Sequence, residues 1–136
     1  MDKKLHIVAI TAFIKDTSKD KFLVVKRSNH EIAYPGKWAF AGGKAERGET
    51  ILTTLKREVL EEVGLEIQDS TRYLKDYTFI RPDDQNVIGF CFEVIAKSEN
   101  VKIAKDFDEY RWVTREEFLK LDYIPGMEEE VNAAFL

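Results

Sequence analysis

Apolar residues alternate and cluster along this chain in a way that predicts its elements one after another. Leu5 to Ile14 is aliphatic and β-branched, interrupted at His6 and Thr11, and Lys21 to Val25 repeats that character. The polar run Lys15-Asp-Thr-Ser-Lys-Asp20 between them predicts two strands around a turn. Ser28 to Lys37, with Asn29, Pro35 and Gly36, reads as loop. A helix is predicted from the Thr50 cap through Val63, a segment without breakers, and Gly64 is suited to the left-handed conformation that ends it. Tyr73 to Ile80 and Val87 to Ala96 flank the polar loop Arg81-Pro-Asp-Asp-Gln-Asn86 and predict a hairpin, and Glu109 to Val113 predicts another strand. Thr114 and Glu117 have capping-box spacing ahead of Phe118 and Leu121, so a short helix starts there. Pro125 and Gly126 precede a terminal helix with Val131, Ala134 and Phe135 on its apolar side. Strands around one long helix, with two smaller helices near the end, imply an α/β domain built in layers.

Composition narrows this picture. With 136 residues, 44% hydrophobic and 34% charged, the chain suits a single soluble domain over 1–136. A formal net charge of −4 argues against polymeric nucleic acid as a partner, and an anionic substrate would need a local positive site or metal ions. The first apolar stretch is too short to span a bilayer, so no membrane association is expected and the cytoplasm is the expected location. The single cysteine, Cys91, lies between Phe90 and Phe92 in a strand pattern and reads as a reduced packing residue.

The candidate chemistry lies on the long helix. At 3.6 residues per turn, Glu58, Glu61 and Glu62 fall within about 100° of arc and form one acidic stripe. Leu52, Leu55, Val59 and Val63 form an adjoining stripe that can pack on a sheet and hold the carboxylates at the edge of a cleft. Like charges at these spacings cost a helix roughly 0.2–0.5 kcal/mol per pair, so the stripe calls for a counter-charge. Hard carboxylate oxygens suit Mg2+, with Mn2+ as a substitute, better than zinc or copper. Gly42 and Gly43, directly before the helix, allow close backbone approach and offer carbonyl oxygens to the same ion.

The segment Gly43 to Leu65, GKAERGETILTTLKREVLEEVGL, carries Gly43, Glu49, Arg57, Glu58, Glu61, Glu62 and Gly64 at the spacing Gly-x5-Glu-x7-Arg-Glu-aliphatic-x-Glu-Glu-x-Gly-aliphatic. Chance would produce such a match at a given start on the order of once in 10^8 to 10^9 tries. The chain thus resembles the Nudix hydrolase superfamily, and within it the small MutT-like nucleotide pyrophosphohydrolases. Pro35-Gly-Lys-Trp-Ala-Phe-Ala-Gly-Gly-Lys44 is similar to the family's lead-in, and Glu109-Tyr-Arg-Trp-Val113 to a late strand. The resemblance implies an α/β/α sandwich with a mixed β-sheet. It implies metal ligation by Glu58 and Glu62, with Glu61 as a third ligand or the water-activating base, and with the Gly42 carbonyl in the shell. Glu49 and Arg57 would form a supporting ion pair. The general base is left between Glu58, Glu61 and an acid from a later loop, where Asp106 ranks ahead of Asp108 and Glu109. Lys44, Lys26 and Arg27 are candidate phosphate contacts, and Phe40 is the first choice among the aromatics for stacking on a base.

The implied reaction is Mg2+-dependent hydrolysis of a nucleoside diphosphate linked to another moiety. A nucleoside triphosphate or modified triphosphate, cleaved to monophosphate and pyrophosphate, is the first reading. ADP-ribose, dinucleoside polyphosphates and nucleotide sugars are the alternatives among enzymes, and a non-catalytic nucleotide sensor is the alternative of another class. The resemblance also leaves room for a homodimer.

Overall fold

Side chains two apart on a strand share a face, and here that period gives the sheet two buried sides. In the computed structural model, which describes residues 5–136, β1 (Ile7–Lys15) and β2 (Phe22–Arg27) direct Ile10, Ala12, Ile14, Leu23 and Val25 into one core. Phe13, Phe22 and Val24 enter a second core on the opposite side. The first four residues of the domain expected over 1–136 lie outside the described residues.

The remaining strands are β3 (Trp38–Ala39), β4 (Ala41–Lys44), β5 (Arg72–Ile80), β6 (Asn86–Ile95) and β7 (Phe107–Val113). Those expected from periodicity are present with ends displaced by no more than two residues. The short β3 and β4 were not expected, because two- and four-residue strands, one containing Gly42-Gly43, show no alternation to read. The sheet runs β3-β2-β1-β6-β5, with β4 also on β1 and β7 on β2. It is mixed, since β1 is parallel to β6 and antiparallel to β4.

β1 and β2 pair only at Lys15 and Phe22 before they diverge, and β4 takes the vacated edge of β1 from Ala9 to Ala12. This divergence places Gly43 opposite Ile10 and Gly42 opposite Thr11, beside the helix that follows.

That helix, α1 (Ile51–Val63), buries Leu55, Val59 and Val63 in the first core with Leu65 and Ile67. Full burial of such aliphatic side chains contributes about 1.5–3 kcal/mol each. On the other face, α2 (Arg115–Leu119) and α3 (Met127–Ala134) bury Phe118, Met127, Val131 and Ala134. The result is an α/β/α sandwich. Phe135 ends just beyond α3, yet its ring still packs 6.1 Å from Phe13 and 6.0 Å from Phe22. Among the described residues no helix is long and apolar enough to cross a membrane.

The helix ends follow their caps. Thr50 Oγ1 accepts from the Thr53 amide at 3.2 Å, and the Thr114–Glu117 capping box closes with bonds of 3.2 and 2.8 Å. Gly64 terminates α1 at φ 69° and donates to the Leu60 carbonyl at 3.1 Å. A Cβ at this position would be strained by the left-handed backbone and would lie 2.9 Å from the Lys102 Cβ. Gly64→Ala is therefore expected to lower stability by about 1–2 kcal/mol, measured by urea unfolding.

Candidate active site

The divergence of β1 and β2 brings the β4 backbone against the carboxylate face of α1, and one guanidinium connects the two. Arg57 Nε and Nη2 donate to Glu49 Oε2 and Oε1 at 2.7 and 2.8 Å, a bidentate fork, and Nη2 also donates to the Lys44 carbonyl at 3.0 Å. Its Nη1 reaches Glu58 Oε1 at 2.7 Å and Glu61 Oε2 at 3.3 Å. Glu49 in turn accepts from the Glu46 amide and the Thr54 hydroxyl. The Arg57 fork is the first cause holding the Glu49 carboxyl at a pKa of about 2, and the same bonds raise that of Arg57. The expected Glu49–Arg57 pair is present and ties the loop before α1 to the helix.

The two glycines are required by close contact. A Cβ on Gly43 would lie 2.2 Å from the carboxyl carbon of Glu58, and one on Gly42 would lie 2.4 Å from the Ile10 carbonyl oxygen. Both distances are far inside van der Waals contact, so Glu58 can lie over the strand only because Gly43 has no side chain. Glu62 accepts from the Gly42 amide at 2.7 Å. Burial pushes its pKa up to about 7; the Gly42 bond and Arg27 oppose that, while Glu58 and Asp106 add to it.

Asp106 is brought there by the end of the helix. The Glu62 carbonyl accepts from Ala104, and the Ser28 amide donates to the Asp106 carbonyl, so the loop before β7 is strung between α1 and the end of β2. Glu61 is the outlier of the acidic stripe, with a side chain 58% exposed against 14% for Glu58. Among the described residues no three Asp, Glu, His or Cys side chains converge as a ready-made metal cluster. The reason is local: Arg57 engages Glu58 and Glu61, whereas Glu62 is drawn to the Gly42 amide.

Beside these carboxylates a cleft of about 540 Å³ opens between the sheet and the start of α3. Gly42, Arg27, Phe40, Tyr77 and Phe79 are in its lining. Phe40 rests on the core rings of Phe13 and Phe22 at 5.5 and 6.3 Å, so it is both packed and available to the cleft. Arg27 is fixed by a 2.8 Å bond from Nε to the Ala33 carbonyl and lies close enough to Glu62 to lower its pKa. Two expected phosphate contacts are not in this lining. Lys44, carried by β4 to a position opposite Ala9, lines a separate groove with His6 and Arg47, and Lys26 pairs in the sheet with Trp38 and Glu109.

Beside Phe40, Tyr77 and Phe79 form one wall of the cleft. They stack at 6.3 Å and 11°, and Tyr77 lies across Gly89, with its hydroxyl 3.0 Å from Thr11 Oγ1. The period-two row Lys75, Tyr77, Phe79 was a visible signal of a shared face. That β5 is an edge strand incompletely covered by α3 was not.

Glu62 binds its proton more tightly in the folded protein than in the unfolded chain. Metal-free protein is thus expected to lose stability as pH rises from about 4.5 to about 7, by up to ~1.4 kcal/mol per unit from this group. Glu62→Gln keeps an acceptor for the Gly42 amide but has no proton to lose, so the difference between the two proteins should grow with pH. Unfolding of both in chelator between pH 5 and 8 measures it.

Comparison with known proteins matches this architecture. The family model for the NUDIX domain matches residues 5–133. The nucleoside triphosphatase NudI of Salmonella arizonae is 32% identical over 110 residues, covering 74% of this chain and 78% of the relative. Its Escherichia coli O139:H28 counterpart is 31% identical over 111 residues with the same coverage. Among solved structures, the MutT protein of Methanosarcina mazei Go1 superimposes with a TM-score of 0.77 at 24% identity, covering 99% of this chain and 96% of that one. The NUDIX domain of Shewanella oneidensis NrtR in complex with ADP ribose gives 0.75 at 17% identity, covering 98% and 91%. The diagnostic segment, the sandwich and these matches together place the chain in the Nudix hydrolase superfamily, as a hydrolase of phosphoanhydride bonds.

Proposed function

We propose that this protein hydrolyses a nucleoside triphosphate, or a modified one, to the monophosphate and pyrophosphate with the help of Mg2+. The observation that supports this most is the placement of Glu58 over Gly43 and Glu62 on Gly42 at one side of an aromatic-lined cleft. The names of the NudI relatives favour a triphosphate.

Glu58, Glu62 and the Gly42 carbonyl would hold the metal, with Glu61 and Asp106 as further oxygen donors. These are hard ligands, and the room over Gly43 lets Glu58 approach the strand. A divalent ion, when bound, neutralises diphosphate charge and acidifies water. Glu61 is our choice for the base that takes the water proton, since it is the most exposed carboxylate of the stripe and its bond to Arg57 is long, at 3.3 Å. Glu58, held by Arg57 at 2.7 Å and lying against the strand at Gly43, is less free to turn toward a water. Glu49 and Arg57 act by positioning α1. Arg27 offsets substrate charge, and Phe40 offers a ring face to the base.

ADP-ribose is the second reading, favoured by the complex of the NrtR domain with that ligand. A cytoplasmic location and function as one domain over 1–136 accompany the first.

Purified protein with Mg2+ is expected to release pyrophosphate from at least one triphosphate, with products resolved chromatographically. Glu58→Gln and Glu62→Gln should each reduce kcat by about 10²-fold or more. Release of AMP and ribose phosphate from ADP-ribose in place of pyrophosphate would select the second reading, and unchanged turnover in both variants would reject the assigned residues.

A further inference from the structure

One polar group in the cleft has incomplete hydrogen bonding. Glu130, one turn into α3, is in the cleft lining, and its Oε2 is closed to solvent without a partner. The groups around it come from several elements. The Cys91 thiol of β6, Lys75 of β5 and Glu129 of α3 are all close enough to act on its charge, and it acts on Tyr77. Lys75 is itself paired with Glu129 at 3.4 Å. None of these supplies a bond to Oε2. Buried carboxyl oxygens are ordinarily satisfied, so an orphan beside a cavity marks a place where a ligand can complete the set.

The rest of the lining has little power to distinguish bases. Phe40, Tyr77 and Phe79 offer ring faces, and stacking tolerates any base. The Tyr77 hydroxyl is already engaged by Thr11. The terminal torsion of a glutamate is soft, so a small rotation turns a carboxyl oxygen toward whatever occupies the slot. That oxygen accepts an N–H whether the carboxyl is neutral or ionised.

We propose that Glu130 is a specificity-determining residue that accepts a hydrogen bond from the exocyclic amino group of a nucleobase stacked among Phe40, Tyr77 and Phe79. This rests on the nucleotide reading above. It favours adenine, cytosine or guanine over uracil, whose one N–H donor is on the ring at N3 and which has no exocyclic amino group to reach the oxygen.

The test is calorimetric binding of AMP, GMP, CMP and UMP to the wild type, Glu130→Leu and Glu130→Gln, alongside kcat and KM for the four triphosphates. Wild type is expected to bind at least one amino-bearing monophosphate about tenfold more tightly than UMP. Glu130→Leu should erase that preference and raise KM for the favoured base while kcat changes less than about twofold. Glu130→Gln preserves volume and one acceptor, and should reduce the preference about threefold; it carries the test if the leucine variant does not fold. Equal binding of all four by the wild type, or a preference unchanged in a folded variant, overturns the proposal. Selective binding that Glu130→Leu abolishes, without turnover of any triphosphate, supports Glu130 and rejects the triphosphate reading, so the two fail separately.

Discussion

The placement of the carboxylate face of α1 depends on the guanidinium of Arg57. One planar fork is shared between Glu49, which belongs to the loop before α1, the Lys44 carbonyl at the end of β4, and Glu58 and Glu61 on the helix itself. Lysine could not replace it, because an ammonium offers no rigid pair of parallel donors and could not bridge strand, loop and helix together. The fork also offsets the repulsion of an acidic stripe that would otherwise oppose both helix formation and its packing against the strand.

Around that fork the fold reconciles two opposing demands. The site needs carboxylates close to a backbone, yet carboxylates resist burial and one another. Hydrophobic packing of Leu55, Val59 and Val63 sets the height of α1 above the sheet. The absence of side chains at Gly42 and Gly43 sets how near the carboxyl groups come, and the Gly42 amide compensates in part for the burial of Glu62. The raised pKa of Glu62 is what remains of that conflict. On the other side of the sheet, α3 covers the aromatic core but leaves β5 partly open, and the cleft occupies the gap. The carboxylate face and the cleft are thus set by two different helices on opposite sides of one sheet.

The parts of the site that were legible from sequence are those whose signal is local. The box acids, Arg57, Glu49, Gly64 and both helix caps depend on spacing along one helix and its ends, where 3.6 residues per turn converts separation into direction. Arg27 and Phe40 were also found in the cleft. Lys44 and Lys26 were not, because their orientation depends on where β4 and β2 lie against neighbouring strands. Tyr77 and Phe79 could not be ranked above the other strand aromatics, since a period-two row reads alike on a covered and on an open face, and Glu130 was missed because nothing along α3 shows which of its acids turns toward the sheet.

The sequence by itself determined the long helix and its acidic face, the hairpin patterning and the layered fold, because each follows from local periodicity or from residues at fixed separations, and the resemblance carried by its box implied the reaction class. Only the tertiary structure decided that β1 and β2 part to admit β4, that the Arg57 guanidinium which bridges Glu58 and Glu61 also reaches Glu49 and the end of β4, that Glu62 rests on the Gly42 amide, and which aromatic faces remain uncovered. Those are contacts between segments far apart in the chain. Strand pairing, helix docking and the exclusion of water select them jointly, and no short window of sequence contains that information.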